Sequence, residues 1–589
     1  MKKQFLFAVL SLFFGQLFSQ SSISGVVIDG DFNEPLAFAN VVVREMGQSE
    51  TIAGAITDFE GRYSLVISDR GMYEVEFSYL GYETKVVKEV SINQAGDTEV
   101  NIVLMPVANA LEEVVVTTTA RKNNEASVLA IQKGAVTLVD GLSAQTIKKS
   151  GDGNVATAIK RIPGVSVQGG KFVYVRGLGD RYSKTLLGGV EVPGLDPDRN
   201  TLQLDVFPTN LLDNILVSKS ASADLPADFT GGLVDVLLKD FSTLPEYNIS
   251  VSTGYNTSTN FQTAPALPDY SLNALSFDSR ANDLPFSSVV DFPRPVNVTN
   301  AAQESLLVNS TNAFTKQMGV SRENNLMDYS IGATASNQYT LSEKSTLGFI
   351  ASVNYKYDSD YYENVINRSV AVRNGVQQDF DGQEGEQGSI QAIASGLFGL
   401  ALKTGNFKHK ATVLVIRSGE STGFDGIIED YIENPYSGVT NTMTHTQRDI
   451  LTVPFSGAYR LSDKLAFDWK VAPSVVRVRD IDFRKTVFNV LSDGTRIIDN
   501  SASALPLRLW RDLEEYGVSA RADLKYDFNL FGSDGNKLKV GAAFNSKDRE
   551  FGTDLFSIGY RGNSADLGGD YNNILRSSFI WNSTKDSGS

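Results

Sequence analysis

Residues 516–528 read Tyr-Gly-Val-Ser-Ala-Arg-Ala-Asp-Leu-Lys-Tyr-Asp-Phe. Every second residue, from Tyr516 through Leu524 to Phe528, is aromatic, aliphatic or alanine, and the residues between them are glycine, polar or charged. Because successive side chains of a β-strand point to opposite faces, this stretch predicts a strand with one apolar and one polar face. The same alternation recurs at 347–357, 465–471 and 538–544.

The spacing of such stretches predicts a membrane-spanning antiparallel sheet. The candidate strands are 247–255, 327–341, 345–357, 389–403, 408–418, 451–461, 465–477, 516–528, 538–545 and, more weakly, 574–582. The connections at 342–344, 404–407, 462–464 and 529–537 are short, whereas those at 256–326, 358–388, 419–450, 478–515 and 546–573 are long. Short turns on one side and long loops on the other are typical of an outer-membrane β-barrel. A soluble sandwich does not produce this regular alternation.

Composition excludes several classes of protein. The chain has 589 residues, 69 Asp and Glu against 53 Lys and Arg, and no cysteine. Disulfides, thiolate metal sites and cysteine nucleophiles are therefore excluded. The net charge of −16 gives no basic footprint for nucleic acid. With hydrophobic residues at 42% the chain is not disordered, and the overall class that we predict is mainly β.

The N-terminus has the pattern of an export signal. Lys2 and Lys3 precede an apolar run at 5–18, and small or polar residues follow at 19–22. This run is shorter than a membrane-spanning helix requires. We therefore predict a secretory signal peptide over residues 1–20 rather than a membrane anchor.

Residues 21–107 predict a small β-sandwich, because several short strand-like runs alternate with glycine- and aspartate-containing turns. The pieces at 25–29, 35–41, 57–63 and 77–82 resemble the carboxypeptidase-regulatory-like domain. Such domains are non-catalytic, so the resemblance implies no peptidase activity.

A β-prone segment without an obvious partner follows this unit. It consists of Glu112, Glu113, Val114, Val115, Val116 and Thr117. An unpaired β-branched run can serve as a strand that another protein adds to its own sheet. The alternative is that it is simply a strand of a neighbouring domain.

Residues 127–242 predict an α+β unit in which a family resemblance becomes specific. The pieces 162–165, 175–177, 189–193, 211–217 and 228–232 occur in the order found in the plug domain of TonB-dependent outer-membrane receptors. The motif residues are Pro163, Gly164, Arg176, Gly177, Gly231 and Gly232. Residues 112–117 resemble the TonB box of the same family, within a linker at 108–126. Gly188-Gly189 stands where many relatives carry Asn-Gly, and both pairs suit a tight turn.

The resemblance implies a receptor of the cell outer membrane that takes up a scarce ligand. TonB would pair with residues 112–117 on the periplasmic side, and lipid would surround the barrel at 243–589. A siderophore, cobalamin, a peptide or an oligosaccharide all remain open as ligands. The alternatives are a ligand sensor that signals through its N-terminal domain and, less favoured, a secreted adhesin. No enzyme activity, cofactor or nucleic-acid partner is implied.

The number of strands conflicts with a complete receptor. About 22 strands are needed to enclose a plug, and roughly eight are filled by their own side chains. The sequence therefore predicts that about half of the barrel is present and that the chain is truncated. The alternative is a genuine short form that does not transport.

Other candidate sites are weaker. The G-x-G-x-x-A pattern at 151–156 lacks the strand and acidic residue of a dinucleotide site, and 196–200 lacks the glycine and glutamate of a calcium loop. We expect no metal site, and we expect His409 and His445 to be surface residues. For Arg176 the alternatives are a buried salt bridge or barrel contact and a solvated strand residue.

Overall fold

The computed structural model describes residues 21–29, 35–36, 38–48, 51–58, 60–67, 69–79, 82–92, 97–105, 124–179, 181–199, 202–241, 245–268, 283–285, 294–342, 344–430, 436–462, 464–499, 505–530 and 533–589. The structure is mainly β, as predicted. It divides into one unit ending at Thr117 and a second that begins at Thr118. The expected signal peptide and residues 112–117 lie outside the described residues.

The first unit is an all-β domain. Its strands are β1 Ser21–Asp29, β2 Asn40–Glu45, β3 Thr51–Ile56, β4 Arg62–Ile67, β5 Gly71–Ser78, β6 Lys85–Ile92, β7 Asp97–Glu99 and β8 Ile102–Leu104. One sheet joins β4, β1, β7 and β8, and the other has the order β3-β2-β5-β6. Alternate residues of these strands, such as Ile23, Val75 and Phe77, share one buried core. The predicted N-terminal β domain is confirmed.

The second unit begins with an α+β part. It contains α1 Glu125–Gly134, β9 Val139–Ser143, α2 Ala144–Ser150, α3 Val155–Ile159, β10 Val165–Gln168, β11 Phe172–Val175, β12 Ser183–Leu187, β13 Val190–Glu191, β14 Leu212–Ser218 and β15 Gly232–Leu238. The five-stranded sheet has the order β13-β12-β15-β14-β9, and β10 pairs with β11 as a hairpin. Gly151 ends α2 in the left-handed conformation, and Asn154 caps α3. The glycine pattern at 151–156 therefore ends one helix and starts the next.

A large antiparallel sheet follows. Its strands are β16 Glu246–Gly254, β19 Asp328–Ser342, β20 Ser345–Arg373, β21 Val376–Thr404, β22 Phe407–Asp430, β23 Tyr436–Thr452, β24 Phe455–Arg460, β25 Leu465–Val490, β26 Arg496–Ile497, β27 Leu507–Leu530 and β28 Ser533–Ser557. The main path is β16-β19-β20-β21-β22-β23-β25-β27-β28, with β24 continuing between β22 and β25. A separate pair joins β17 Thr263–Ala266 to β18 Ser321–Asn324, and α4 spans Ala301–Ala313.

The strands are longer than the sequence predicted. Most of the connection expected at 358–388 is strand, because β20 and β21 continue to a tight turn at Asn374-Gly375, where both residues have positive φ. Much of 419–450 and 478–515 is strand as well. The weak strand predicted at 574–582 is wrong, since those residues form turns and irregular structure.

The two faces of the sheet differ as the alternation predicted. On β27 the side chains of Tyr516, Val518, Leu524 and Tyr526 are 41–54% exposed on one face. On the other face the sheet packs against the α+β part, and buried residues of both share one core, including Ile350 and Leu414 of the sheet and Val234 of the α+β part. No helix in the described ranges is long and apolar enough to cross a membrane.

Candidate functional site between the α+β part and the sheet

The motif residues predicted from sequence converge on Arg176. Its backbone N–H donates to the Gly164 carbonyl oxygen at 2.7 Å. Its Nε donates to the Gly231 carbonyl at 2.9 Å, and its Nη2 donates to the Thr230 carbonyl at 2.9 Å. Three pieces that are far apart in sequence are therefore joined at one point inside the α+β part.

The backbone at this point requires small or special residues. Pro163 and Gly164 occupy the two central positions of the turn that follows α3, and Gly164 has φ of 72°, as in a type II turn. Gly177 has φ of 75°. A Cβ added to Gly232 would lie 2.5 Å from Val175 Cγ1, so no larger residue fits without movement.

Arg176 does not form the buried salt bridge or sheet contact that we considered. The residue is exposed, and its guanidinium donates to carbonyl oxygens of its own domain. It also adopts φ of 55°, which a non-glycine residue rarely does. These contacts join the motif pieces at Arg176.

The first junction with the sheet is formed by Lys171, which follows the tight turn of the β10–β11 hairpin. Its Nζ donates to Glu420 Oε1 on β22 at 2.6 Å. Arg448 of β23 donates to the other Glu420 oxygen through Nη1 at 3.0 Å. The Glu420 carboxylate thus pairs with Lys171 of the α+β part and with Arg448 of its own sheet.

A buried acid from the α+β part lies beside this junction. Asp205 belongs to the fully buried run 202–207, and its Oδ2 accepts from Gln391 Nε2 of β21 at 3.0 Å. Burial raises the pKa of Asp205, while Lys171 and Arg448 act in the opposite direction. Within the described part of the chain, Asp205 Oδ1 and Gln203 Oε1 have no hydrogen-bond partner. This interface therefore has unused hydrogen-bonding capacity.

Glu191 and Gly188 make a second junction, with β25 and β28. Asn545 Nδ2 donates to Glu191 Oε1 at 3.0 Å, and Lys547 Nζ lies 3.6 Å from Glu191 Oε2. Lys470 Nζ donates to the Gly188 carbonyl at 2.6 Å. The short β12–β13 hairpin is therefore held by the sheet at its turn and at β13.

A third contact pairs Asp224 with Lys539 of β28 at 2.8 Å. Burial raises the pKa of Asp224, but the hydrogen bonds from Lys539 and Ser222 and the Lys539 charge together outweigh burial and lower the pKa to about 2. The charged pair is thus the stable form across the physiological range.

The end of the α+β part is fastened as well. Asp240 lies 3.3 Å from Lys408 Nζ and 3.1 Å from Lys410 Nζ, both on β22. The backbone N–H of Asp240 donates to Asp213 Oδ2 at 3.2 Å. Burial, with the nearby Asp240 charge, raises the pKa of Asp213 to about 6.

One of the two histidines differs from expectation. His445 is 3% exposed and its Nδ1 lies 2.7 Å from Ser421 Oγ, so the prediction of a surface histidine is wrong. His409 is exposed, as predicted, and its ring makes an edge contact with the Tyr459 ring at 5.3 Å. Among the described residues no group of three His, Cys, Asp or Glu side chains is placed to hold a metal ion.

Sequence reasoning missed the residues that join the two parts. Lys171 and Glu420 are 249 positions apart, and Asp205 and Gln391 are 186 apart, so no local spacing connects them. The one usable signal was charge on the polar face of predicted strands, as at Lys470. That face was expected to be polar, so the charge did not stand out.

Comparison with known proteins identifies two of the domains. Residues 23–116 match the CarboxypepD_reg-like domain, and residues 132–233 match the TonB-dependent Receptor Plug Domain. The second match contains all of the motif residues around Arg176. The TonB-dependent receptor P3 of Formosa agariphila is 26% identical over 129 residues, which are 21% of this chain and 12% of that receptor.

Two solved structures are similar over a larger share of the chain. The ferric-catecholate import receptor Fiu of E. coli K12 is 10% identical, with 72% of this chain and 78% of that chain covered and a TM-score of 0.27. FpvA of P. aeruginosa, bound to a pyoverdine, is also 10% identical, with 72% and 53% covered and a TM-score of 0.33. Neither score is high enough to define a shared fold. The two domain matches nevertheless confirm both resemblances: this chain carries a CarboxypepD_reg-like domain followed by the plug domain of TonB-dependent receptors.

Proposed function

We propose that this chain is a receptor of the cell outer membrane that takes up a scarce ligand with energy delivered by TonB. The observation that carries the proposal is the two-sided sheet. One face packs on the plug, and the other exposes a belt of large apolar side chains. A sheet in water would bury that belt, whereas a sheet in lipid exposes it.

The height of the belt suits a bilayer. Tyr516 and Tyr526 are ten positions apart on β27 and are both exposed. At about 3.3 Å per residue and a tilt of about 40°, ten residues span about 25 Å, which is the height of the apolar band in such barrels. Exposed aromatic residues such as Phe407 and Tyr526 suit the interface near the short turns.

A row of ion pairs supports an end to the apolar belt on the side away from the short turns, which we call its upper edge. Arg417, Asp449 and Arg477 pair in register across β22, β23 and β25, on the same face as the belt. Arg417 Nε lies 2.5 Å from Asp449 Oδ1, and Arg477 Nη2 lies 3.0 Å from Asp512 Oδ2. Charged pairs of this kind suit the headgroup region and are costly in hydrocarbon.

The proposed mechanism is mechanical. Ligand binds at the far ends of the strands and the plug, and TonB adds residues 112–117 to its own sheet as a strand. Main-chain hydrogen bonds then bear the pulling force, which displaces part of the plug. No covalent step is involved. We propose the limits 21–107, 108–126, 127–242 and 243–589 for the N-terminal domain, linker, plug and sheet.

A second candidate function rests on the N-terminal domain, which forms a unit separate from the rest of the chain. It could report ligand occupancy to a periplasmic partner. Deleting residues 21–107 separates the two functions. Loss of uptake indicates a role in assembly or energy coupling, while loss of a transcriptional response alone indicates signalling.

The experiment that tests the proposal is photo-cross-linking. A photoreactive amino acid replaces Val115 in the full chain, and the periplasmic domain of TonB is added. We expect a cross-linked product that disappears when Val114 is replaced by proline, which cannot donate a ladder hydrogen bond. As a control, proline at Asn123, outside the predicted box, leaves the product unchanged. Absence of a cross-link, or equal cross-linking in both proline variants, contradicts the proposal.

A further inference from the structure

The large sheet carries a second core on the face opposite the plug. Trp510 lies on β27 at the same parity as Tyr516, and so on the face of the apolar belt. It packs with residues from two connections, a neighbouring strand and the segment after β28: Phe314, Met318, Ile481, Phe488, Ile498, Tyr560, Leu567, Ile574 and Leu575. Residues from the β16–β19 connection and from the segment after β28 therefore cover the ends of the strands that lie away from the short turns, which we call the far ends.

One stretch of this cover, Thr315–Val320, is held at nearly every residue, and we call it the strap. The N–H groups of Met318 and Gly319 donate to Asn572 Oδ1 at 2.9 and 3.1 Å. The N–H of Val320 donates to Asn441 Oδ1 at 3.0 Å. The strap is thus tied both to β23 and to the segment after β28.

Two buried arginines of the sheet donate hydrogen bonds to backbone carbonyls of the strap. Arg508 Nη1 donates to the Thr315 carbonyl at 2.7 Å, and Arg484 Nη1 donates to the Gln317 carbonyl at 2.8 Å. The Arg508 guanidinium also lies 5.0 Å from the centre of the Phe314 ring. The side chains of Arg484 and Arg508 are only 2% and 1% exposed.

Asp482 is the carboxylate that both arginines share. Arg484 donates to Asp482 Oδ2 through Nε and Nη2 at 3.0 and 2.7 Å, and Arg508 Nε donates to Asp482 Oδ1 at 2.8 Å. Asp482 has φ of 56° and lies where the β25–β27 register shifts, between Asp480 and Phe483. This bulge directs the carboxylate toward the strap side of the sheet.

We infer that Asp482 is a positioning residue: it orients Arg484 and Arg508 so that they hold the strap in place against the far ends of β25 and β27. Without its carboxylate, two guanidinium groups would remain buried without a countercharge, which is strongly unfavourable. They would then move toward water and withdraw their hydrogen bonds from Thr315 and Gln317. This inference concerns how the strap is held on the sheet, and it stands whether or not the chain transports a ligand.

Hydrogen exchange of the full chain in detergent tests the inference, read at the amides of Met318, Gly319 and Val320. We expect them to be protected in the unchanged protein and to exchange at least tenfold faster in Asp482→Asn. The matched control is Asp512→Asn, which removes the exposed partner of Arg477 and leaves the strap unchanged. Unprotected strap amides in the unchanged protein, or equal protection in Asp482→Asn, would overturn the inference.

A second variant guards against simple misfolding. The triple change Asp482→Leu, Arg484→Met and Arg508→Met removes all three charges together, so that no buried ion is left unpaired. Amides of β15 in the plug serve as the measure of intact folding. With β15 protected, we expect faster exchange in the strap because its two side-chain donors are gone. Full protection of the strap in this variant would show that the arginines do not fasten it.

Discussion

Lys171 of the plug and Glu420 of the sheet are joined by a hydrogen bond of 2.6 Å that spans 249 positions of sequence. Glu420 also accepts from Arg448 at 3.0 Å, so the carboxylate lies between a cation of the plug and a cation of its own sheet. The seating of the plug therefore depends on a carboxylate whose removal leaves two cations partly buried.

This arrangement predicts unequal effects of two substitutions. Lys171→Met removes one partner of Glu420 and leaves Arg448 in place. Glu420→Gln removes the carboxylate that Lys171 and Arg448 share and is expected to cost more, about 1–3 kcal/mol of unfolding free energy. Thermal unfolding in detergent and protease sensitivity of the plug measure both effects. The control Arg477→Met breaks an exposed pair and should cost less than about 1 kcal/mol; equal losses in all three variants would contradict the ranking.

Gly232 offers a steric prediction. A Cβ there lies 2.5 Å from Val175 Cγ1, so Gly232→Ala is expected to lower stability by about 1–3 kcal/mol through overpacking. Gly552→Ala is the control, because a Cβ there meets nothing within 4 Å and its φ is not in the left-handed region. The thermal midpoints of the two variants should differ clearly. Similar midpoints would show that the Val175 contact relaxes freely.

Asp213 gives a pH dependence. Its pKa is raised to about 6 by burial, so the folded plug binds a proton that the unfolded chain releases near the ordinary value of 3.8. The stability contributed by this proton is fully present below about pH 3.8 and is lost as the pH rises to 6. Asp213→Asn should remove that component. The check is the thermal midpoint from pH 4 to 7 for both proteins; parallel curves would mean that Asp213 has an ordinary pKa.

The apolar belt predicts a cost for charge at its centre. Ala520 lies on the belt face of β27, midway between the exposed tyrosines 516 and 526. Ala520→Arg is expected to destabilise folding into a bilayer by about 2–4 kcal/mol. Glu514→Arg, at the charged upper edge, should cost only about 0–1 kcal/mol. Folded fractions in lipid vesicles provide the measurement, and equal fractions would place the belt outside the bilayer.

For most of the long strands, the sequence allowed the part nearest the short turns to be predicted, but not the opposite end; β23 was assigned almost entirely to a connection. At 516–528 an exposed apolar face on one side and the plug on the other produce a clean alternation. Past the row of ion pairs, a charged residue, Arg508, and an aromatic residue, Trp510, lie on the same face, because the strap and its neighbours cover that face. The period-2 pattern is lost there although the backbone pairing continues. The turn at Asn374-Gly375 was the available signal for the extension of β20 and β21.

The candidate site was predictable in part. The motif around Arg176 was found because backbone geometry restricts residue types at Gly164, Gly177 and Gly232. The junctions at Lys171, Glu191 and Asp205 were not found, since each depends on a partner more than a hundred positions away. His445 was misjudged for a different reason: 419–450 was predicted to be a connection, whereas β22 and β23 pair there and place His445 against Ser421.

The central claim is that one face of the sheet contacts lipid while the other holds the plug. The chain has no cysteine, so single cysteines can be introduced at successive positions from 516 to 526 and labelled with an environment-sensitive fluorophore. In vesicles that contain nitroxide-labelled lipid tails, we predict strong quenching at 516, 518, 520, 522, 524 and 526 and weak quenching at 517, 519, 521, 523 and 525. Quenching without this alternation, or its absence at every position, would contradict the account.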